Sequence, residues 1–83
     1  MKIAVITGAS SGMGREFAKG IDAEERLDEI WLIARRRERL EELAGELRAR
    51  ARILPLDLTD AAAFDEYAAL LEGERPEVVT LCN

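Results

Sequence analysis

Residues 2–16, KIAVITGASSGMGRE, set an unbroken apolar run against a turn holding three glycines and two serines. Ile3, Ala4, Val5 and Ile6 follow one another with no polar residue between them, the pattern of a strand buried on both faces of a parallel sheet. From Met13 the period changes. Met13, Phe17 and Ile21 stand four apart, as the apolar stripe of a helix expected over Met13 to about Asp22. Linkers also use Gly and Ser, yet a linker has no use for a buried strand before it and a helix behind it. A glycine-rich turn between such elements lets the backbone approach a pyrophosphate closely. The helix N-terminus there offers unpaired N–H groups and the positive end of its dipole.

Outward from this stretch the chain keeps alternating, with no linker, repeat or low-complexity tract. Glu29 to Ala34 is a second apolar run, EIWLIA. Arg36 to Arg50 reads as a helix, because Leu40, Leu43, Ala44 and Leu47 fall on one face and Arg and Glu fill the other. Arg52 to Leu56 is a short third strand. Thr59 or Asp60 caps a third helix running to about Glu72, with Phe64, Ala68 and Leu71 as its stripe, and Gly73 and Pro76 break it. Glu77 to Cys82, EVVTLC, is the fourth strand.

Strands and helices in strict alternation imply right-handed crossovers and an α/β fold. We expect one unit over residues 1–83: the N-terminal part of a doubly wound, Rossmann-like parallel sheet, four strands in the order 3-2-1-4 with three helices. The first two helices then cover one face and the third covers the other.

Composition narrows the function classes. With 83 residues, 48% of them hydrophobic, the chain is too apolar for disorder and too short for two domains. A chain of this size buries only about 60% of its unfolded surface, so its core is marginal. A net charge of −5 argues against nucleic acid or an anionic membrane as a general partner. The single cysteine, Cys82, forms no internal disulfide and reads as a small buried apolar group; without histidine, no zinc site is expected. Four apolar residues before Thr7 are too few for a signal-peptide core or a membrane span, and a reducing, cytoplasmic setting is the default.

Spacing separates the phosphate-binding patterns. A P-loop needs a Gly-Lys-Ser/Thr ending after four residues, counted from its first glycine, whereas position 13 is Met13 and Lys is absent from the turn. G-x-G-x-x-G starting at Gly12 requires Gly or Ala at position 17, which is Phe17. What stands here is T-G-x-x-x-G-x-G, on Thr7, Gly8, Gly12 and Gly14, and it resembles the short-chain dehydrogenase/reductase family. The resemblance implies that Asp57, followed by Leu58 after the third strand, contacts the adenine. It also implies that Asn83 is the first Asn of the family's Asn-Asn-Ala-Gly motif. The turn from Gly8 to Gly14, including Met13, then holds the pyrophosphate. Ser10 and Ser11 either donate hydroxyls to a phosphate or ribose or only shape the turn.

At the end of the second strand an acidic residue would select NAD, whereas arginine accommodates the 2′-phosphate of NADP. Arg35 and Arg36 stand there with no carboxylate, so NADP(H) is the expected cofactor. Arg37 and Arg39 read as a solvated helix start.

The family transfers hydride between nicotinamide and a small carbonyl or alcohol, using a serine, a tyrosine and a lysine that lie in the second half of its fold. None of these is recognisable here, so no catalytic residue is assigned. Tyr67 is expected to pack on the third helix and Trp31 to lie in the core. Two readings stay open: the NADP(H)-binding part of an oxidoreductase, truncated after the fourth strand, or a stand-alone nucleotide-binding or interaction module. A homo-oligomer is expected, with self-association through the fourth strand or the exposed sheet face and little activity from these residues alone.

Overall fold

The computed structural model describes residues 1–9 and 11–82, the last of these by its backbone alone. Ser10, Asn83 and the side chain of Cys82 lie outside the described residues, and so do the readings made for them above. The elements are β1 (Lys2–Thr7), α1 (Gly12–Glu24), β2 (Glu29–Ile33), α2 (Arg37–Ala44), β3 (Arg50–Leu54), α3 (Ala61–Glu74) and β4 (Glu77–Cys82). The four strands form one parallel sheet in the order β3-β2-β1-β4, the order expected of the first part of a Rossmann-like sheet.

β1 and β2 are the buried centre. Ala4, Ile6, Ile30 and Leu32 point to one face, where Ala18 of α1 and Leu40 and Leu43 of α2 pack on them. Their neighbours Ile3, Val5, Trp31 and Ile33 point to the other face, against Tyr67, Leu70 and Leu71 of α3. This period of two with both sets apolar makes the strands read as continuous hydrophobic runs. Each large side chain so buried contributes about 1.5–3 kcal/mol. The C-terminal ends of β1 and β2 are therefore the best-anchored platform in the molecule. α3 has no fully buried residue, and its side is the thinner one. No helix among the described residues is long and apolar enough to cross a membrane.

Several helix faces differ from the sequence reading. α1 buries Gly14, Ala18 and Asp22, while Met13 is 87% exposed and Phe17 43% exposed; of the expected stripe only Ile21 packs on the core. Small residues win that face because they let the helix lie directly on β1. α2 ends at Ala44 rather than running to Arg50, with Gly45 as its C-cap, and Leu47 reaches the core from the turn that follows. β3 accordingly starts at Arg50 and stops at Leu54; Pro55 next to it has no N–H to donate to the ladder. α3 packs through Tyr67, Leu70 and Leu71, leaving Phe64 51% exposed with its ring 6.2 Å from that of Tyr67. Gly73 lies inside α3, which ends at the left-handed Arg75.

Two polar networks hold the layers. The buried Asp22 carboxylate accepts from Arg48 N at 2.7 Å and Ala49 N at 2.9 Å, and the Arg48 guanidinium donates back to the carbonyls of Asp22 and Ala23. This clasp draws residues 48–49 out of helical geometry and fixes where β3 begins, while placing a cation at the carbonyl end of α1. On the other face, Arg52 of β3 pairs with Glu74 of α3 and lies 4.9 Å from the centroid of the Trp31 ring. Glu29 accepts from Trp31 Nε1 at 3.0 Å beside the same arginine, which accounts for a glutamate at the edge of the core. The hydrogen bond from Arg52 holds the Glu74 carboxyl below its ordinary pKa. Its contribution is therefore present above the unfolded glutamate pKa and lost as pH falls through the depressed value.

Asp22→Ala should orphan the N–H groups of Arg48 and Ala49. A loss of roughly 2 kcal/mol follows from about 1–3 kcal/mol per unsatisfied partly buried group. Urea unfolding followed by Trp31 emission measures it; an unchanged midpoint would show that the clasp contributes nothing.

Candidate functional site

The strand order reverses at β1: the chain builds β2 and β3 on one side and returns to place β4 on the other. In open parallel sheets the crevice at such a point, beyond the carboxyl ends of the strands, is where ligands bind. The turn from Gly8 to Gly14 stands at that end.

Gly8 has φ +66°, in the left-handed region, and lets the chain reverse sharply after β1. Its carbonyl accepts from Ser11 N at 3.0 Å and from the Ser11 hydroxyl at 2.9 Å. The Ser11 oxygen in turn accepts from Gly14 N at 3.1 Å, and the Ser11 carbonyl accepts from Arg15 N at 3.0 Å. Ser11 is thus the N-cap of α1, its hydroxyl donating and accepting within the turn. Two N–H groups of the first helical turn, those of Gly12 and Met13, have no acceptor among the described residues. No acidic side chain occupies that turn. An anion there meets two free donors and the positive end of the helix dipole, with no carboxylate to repel it.

The glycines keep this cradle open for different reasons. A Cβ on Gly14 would lie 2.5 Å from Gly8 O and 3.0 Å from Ala9 Cα, so only glycine allows α1 to come this close to the turn. A Cβ on Gly12 would meet nothing within 4 Å, so packing does not explain that glycine. The cradle accommodates a phosphate group: its donors are backbone and its wall is a residue without a side chain. Met13 contributes its N–H, since its side chain projects away from the protein.

Ala9 N donates to Ile33 O at 3.3 Å and Ala34 N to Leu54 O at 3.4 Å, which tie the turn and the ends of β2 and β3 together. A cleft of about 250 Å³ opens among them, lined by Gly8, Ala34, Arg35, Leu56, Asp57 and Leu58. Arg35 and Arg36 make no ion pair with any described residue, whereas Arg37 binds Glu41 at 3.0 Å within α2. The arginine run thus divides into two free cations at the strand end and one held by its own helix. Arg36 is the N-cap position of α2 without a side-chain cap bond.

Across the cleft, Asp57 Oδ1 accepts from Thr59 N at 3.0 Å and from Thr59 Oγ1 at 2.6 Å. The Thr59 hydroxyl, followed by its N–H, holds the Asp57 carboxyl below the usual carboxylate range, and the charge of Arg35 adds to this. Asp57 O accepts from Asp60 N, and Asp60 caps α3 by accepting from Ala62 N at 3.0 Å. Leu58 turns inward onto the core shared with α3.

Of the residues singled out in the sequence, Gly8, Arg35, Asp57 and Leu58 share one cleft, and Ser11, Gly12, Met13 and Gly14 form the turn beside it. Thr59 entered the sequence reading only as a helix cap; its signal for Asp57 was the Asp-x-Thr spacing. A second cleft of about 160 Å³ lies by Asp22 and Arg48 at the opposite end of the sheet. The Asp22 carboxylate there is already engaged by two backbone donors. Tyr67 packs on α3, and burial pushes its phenol pKa up, the reverse of what proton exchange at neutral pH requires.

The family model described as short chain dehydrogenase matches residues 2–83. The fatty acyl-CoA reductase of Acinetobacter baylyi is 39% identical over 85 residues, covering 99% of this chain and 28% of that protein. A short-chain dehydrogenase from Sphingobium yanoikuyae in complex with NADPH superposes with TM-score 0.75 and 32% identity, over 86% of this chain and 28% of that one. L-sorbose reductase from Gluconobacter frateurii, complexed with NADPH and L-sorbose, gives TM-score 0.77 and 30% identity over 96% of this chain and 31% of that one. The chain thus spans about 30% of the length of these relatives.

Gly14→Ala should either displace α1 or destabilise the turn, and nucleotide affinity should fall at least about tenfold, the equivalent of 1.4 kcal/mol. Gly12→Ala should unfold at the wild-type temperature, because its Cβ has room. Thermal unfolding and nucleotide titration of both variants check this; a Gly14→Ala protein that behaves as wild type would refute the steric account.

Proposed function

The chain belongs to the short-chain dehydrogenase family, and from that premise we propose that it forms the NADP(H)-binding portion of an oxidoreductase acting on a small carbonyl or alcohol. The observation that carries this reading is the pair of N–H groups, on Gly12 and Met13, and the two arginines, Arg35 and Arg36, that find no partner among the described residues. The pyrophosphate sits over the N-terminus of α1, where those two donors point. Arg35 meets the 2′-phosphate with paired, charge-assisted hydrogen bonds, and Arg36 adds a second positive charge. Asp57 accepts from the amino group of the adenine, which lies between Leu56, Leu58 and Ala34.

When bound, the nicotinamide supplies or receives the hydride. The residues of this chain bind and orient. Gly14 sets the depth at which the phosphates rest, the dipole of α1 stabilises their charge, and the arginines fix the adenosine end. No described residue acts as the proton donor, because Tyr67 is held in the α3 layer; we place that group in the part of the family's fold that this chain does not span. A reducing cytoplasm suits a chain with one cysteine.

Fluorescence or calorimetric titration of the full chain should show NADP(H) binding roughly ten- to a hundredfold more tightly than NAD(H), from about 1.5–3 kcal/mol for hydrogen bonds to a charged group. Arg35→Asp should shrink or reverse that ratio. Equal affinities in the wild type would contradict the proposal.

A further inference from the structure

We propose that Thr59 is a positioning residue for adenine recognition, pinning one oxygen of Asp57 so that the other is presented to the base. This deepens the function proposed above and rests on its assignment of Asp57 to the adenine. A carboxylate has two oxygens with about four acceptor sites. In Asp57 the two donors from Thr59 both fall on Oδ1, the N–H at 3.0 Å and the hydroxyl at 2.6 Å. Oδ2 receives no hydrogen bond from a described residue, and Asp57 itself lines the cleft beside Leu56 and Leu58. The result is a carboxylate with one oxygen held and one without a described partner, in a cleft whose lining includes Ala34, Leu56 and Leu58. A flat aromatic base carrying an amino group on its edge matches that arrangement, since its face meets the leucines and its N–H donors meet the oxygen.

The pin is set by local geometry. Asp57 O accepts from Asp60 N at 2.9 Å, and Asp60 caps α3, so Thr59 sits in a turn closed at both ends. Its hydroxyl therefore reaches Oδ1 with little freedom to leave. Thr59 is itself exposed and absent from the core, so removing its hydroxyl opens no cavity. An unpinned carboxylate would rotate about χ1 and χ2, and each binding event would have to immobilise it again. The hydroxyl carries out that ordering before the ligand arrives. It also favours the ionised form, the one that accepts without donating.

The test uses NADP(H) and its hypoxanthine analogue, in which a carbonyl oxygen replaces the adenine amino group. Affinities are measured for wild type, Thr59→Val, Thr59→Ser, Asp57→Asn and the Thr59→Val/Asp57→Asn double variant. The wild type should prefer adenine by about tenfold or more, a single hydrogen bond to a charged group. Thr59→Val should lose most of that preference by weakening NADP(H) alone, with the hypoxanthine analogue bound as before, which also shows that the site is still folded. Thr59→Ser, retaining the hydroxyl, should restore the preference. In the Asp57→Asn background Thr59→Val should have no further effect, as expected for residues acting through one contact. With falling pH, Thr59→Val should lose any remaining preference at a higher pH than wild type, because the pin is what lowers the Asp57 pKa.

If Asp57→Asn abolishes the adenine preference while Thr59→Val leaves it intact, the Thr59 proposal is overturned and the role of Asp57 stands. If neither wild type nor Asp57→Asn discriminates the two bases, the assignment of Asp57 fails and the proposal falls with it. If Thr59→Val weakens both nucleotides equally, Thr59 supports the loop and does not position the carboxylate.

Discussion

The backbone of α1 passes the turn after β1 so closely that one added carbon on Gly14 would sit 2.5 Å from the Gly8 carbonyl oxygen. Most of the site follows from that approach. It fixes the rotation of α1, so that Gly14, Ala18 and Asp22 face the sheet and Met13 and Phe17 face away. The same rotation carries Asp22 to the start of β3, where it anchors Arg48 and Ala49. At the other end of the helix the N–H groups of Gly12 and Met13 have no acceptor among the described residues, while Ser11 accepts from that of Gly14.

A net charge of −5 is compatible with a basic strand end because the charge is local. Of the acidic side chains, Glu41, Glu42 and Glu46 pair with Arg37, Arg15 and Lys19 along the outer faces of the helices, and Glu74 pairs with Arg52. At the strand ends Arg35 and Arg36 make no ion pair with a described residue, and the first turn of α1 carries no acid. Asp57 is the exception: it lines the same cleft as Arg35, whose charge helps to hold its carboxyl below the usual range.

The strand runs and the turn were plain in the sequence because their signals are local. Ile3 to Ile6 buries four consecutive apolar residues on the two faces of one strand, and T-G-x-x-x-G-x-G states its own backbone requirement at Gly8 and Gly14. Alternation and handedness implied a parallel sheet, and the order 3-2-1-4 came with the Rossmann-like class. Helix faces were less legible, because burial there is decided by distance to the sheet rather than by hydrophobicity. Met13 and Phe17 make the more apolar stripe, yet Gly14 and Ala18 are the residues small enough for the contact. The early end of α2 was hidden for a similar reason: Leu47 keeps the helical spacing, but the Asp22 clasp 25 to 27 residues away in sequence determines the backbone path. Thr59 looked like a cap because Thr-Asp before an alanine run fits that role, and Asp60 took it.

If phosphate rests on the two backbone donors at the start of α1, amide chemical shifts of the isotope-labelled full chain titrated with NADP⁺ report it donor by donor. The Gly12 and Met13 amides should then move downfield most, the Gly14 amide less because Ser11 already binds it, and the Arg48 and Ala49 amides at the opposite end of the sheet not at all. Saturable binding with Gly12 and Met13 unmoved, or with the largest changes around Asp22 and Arg48, would contradict it.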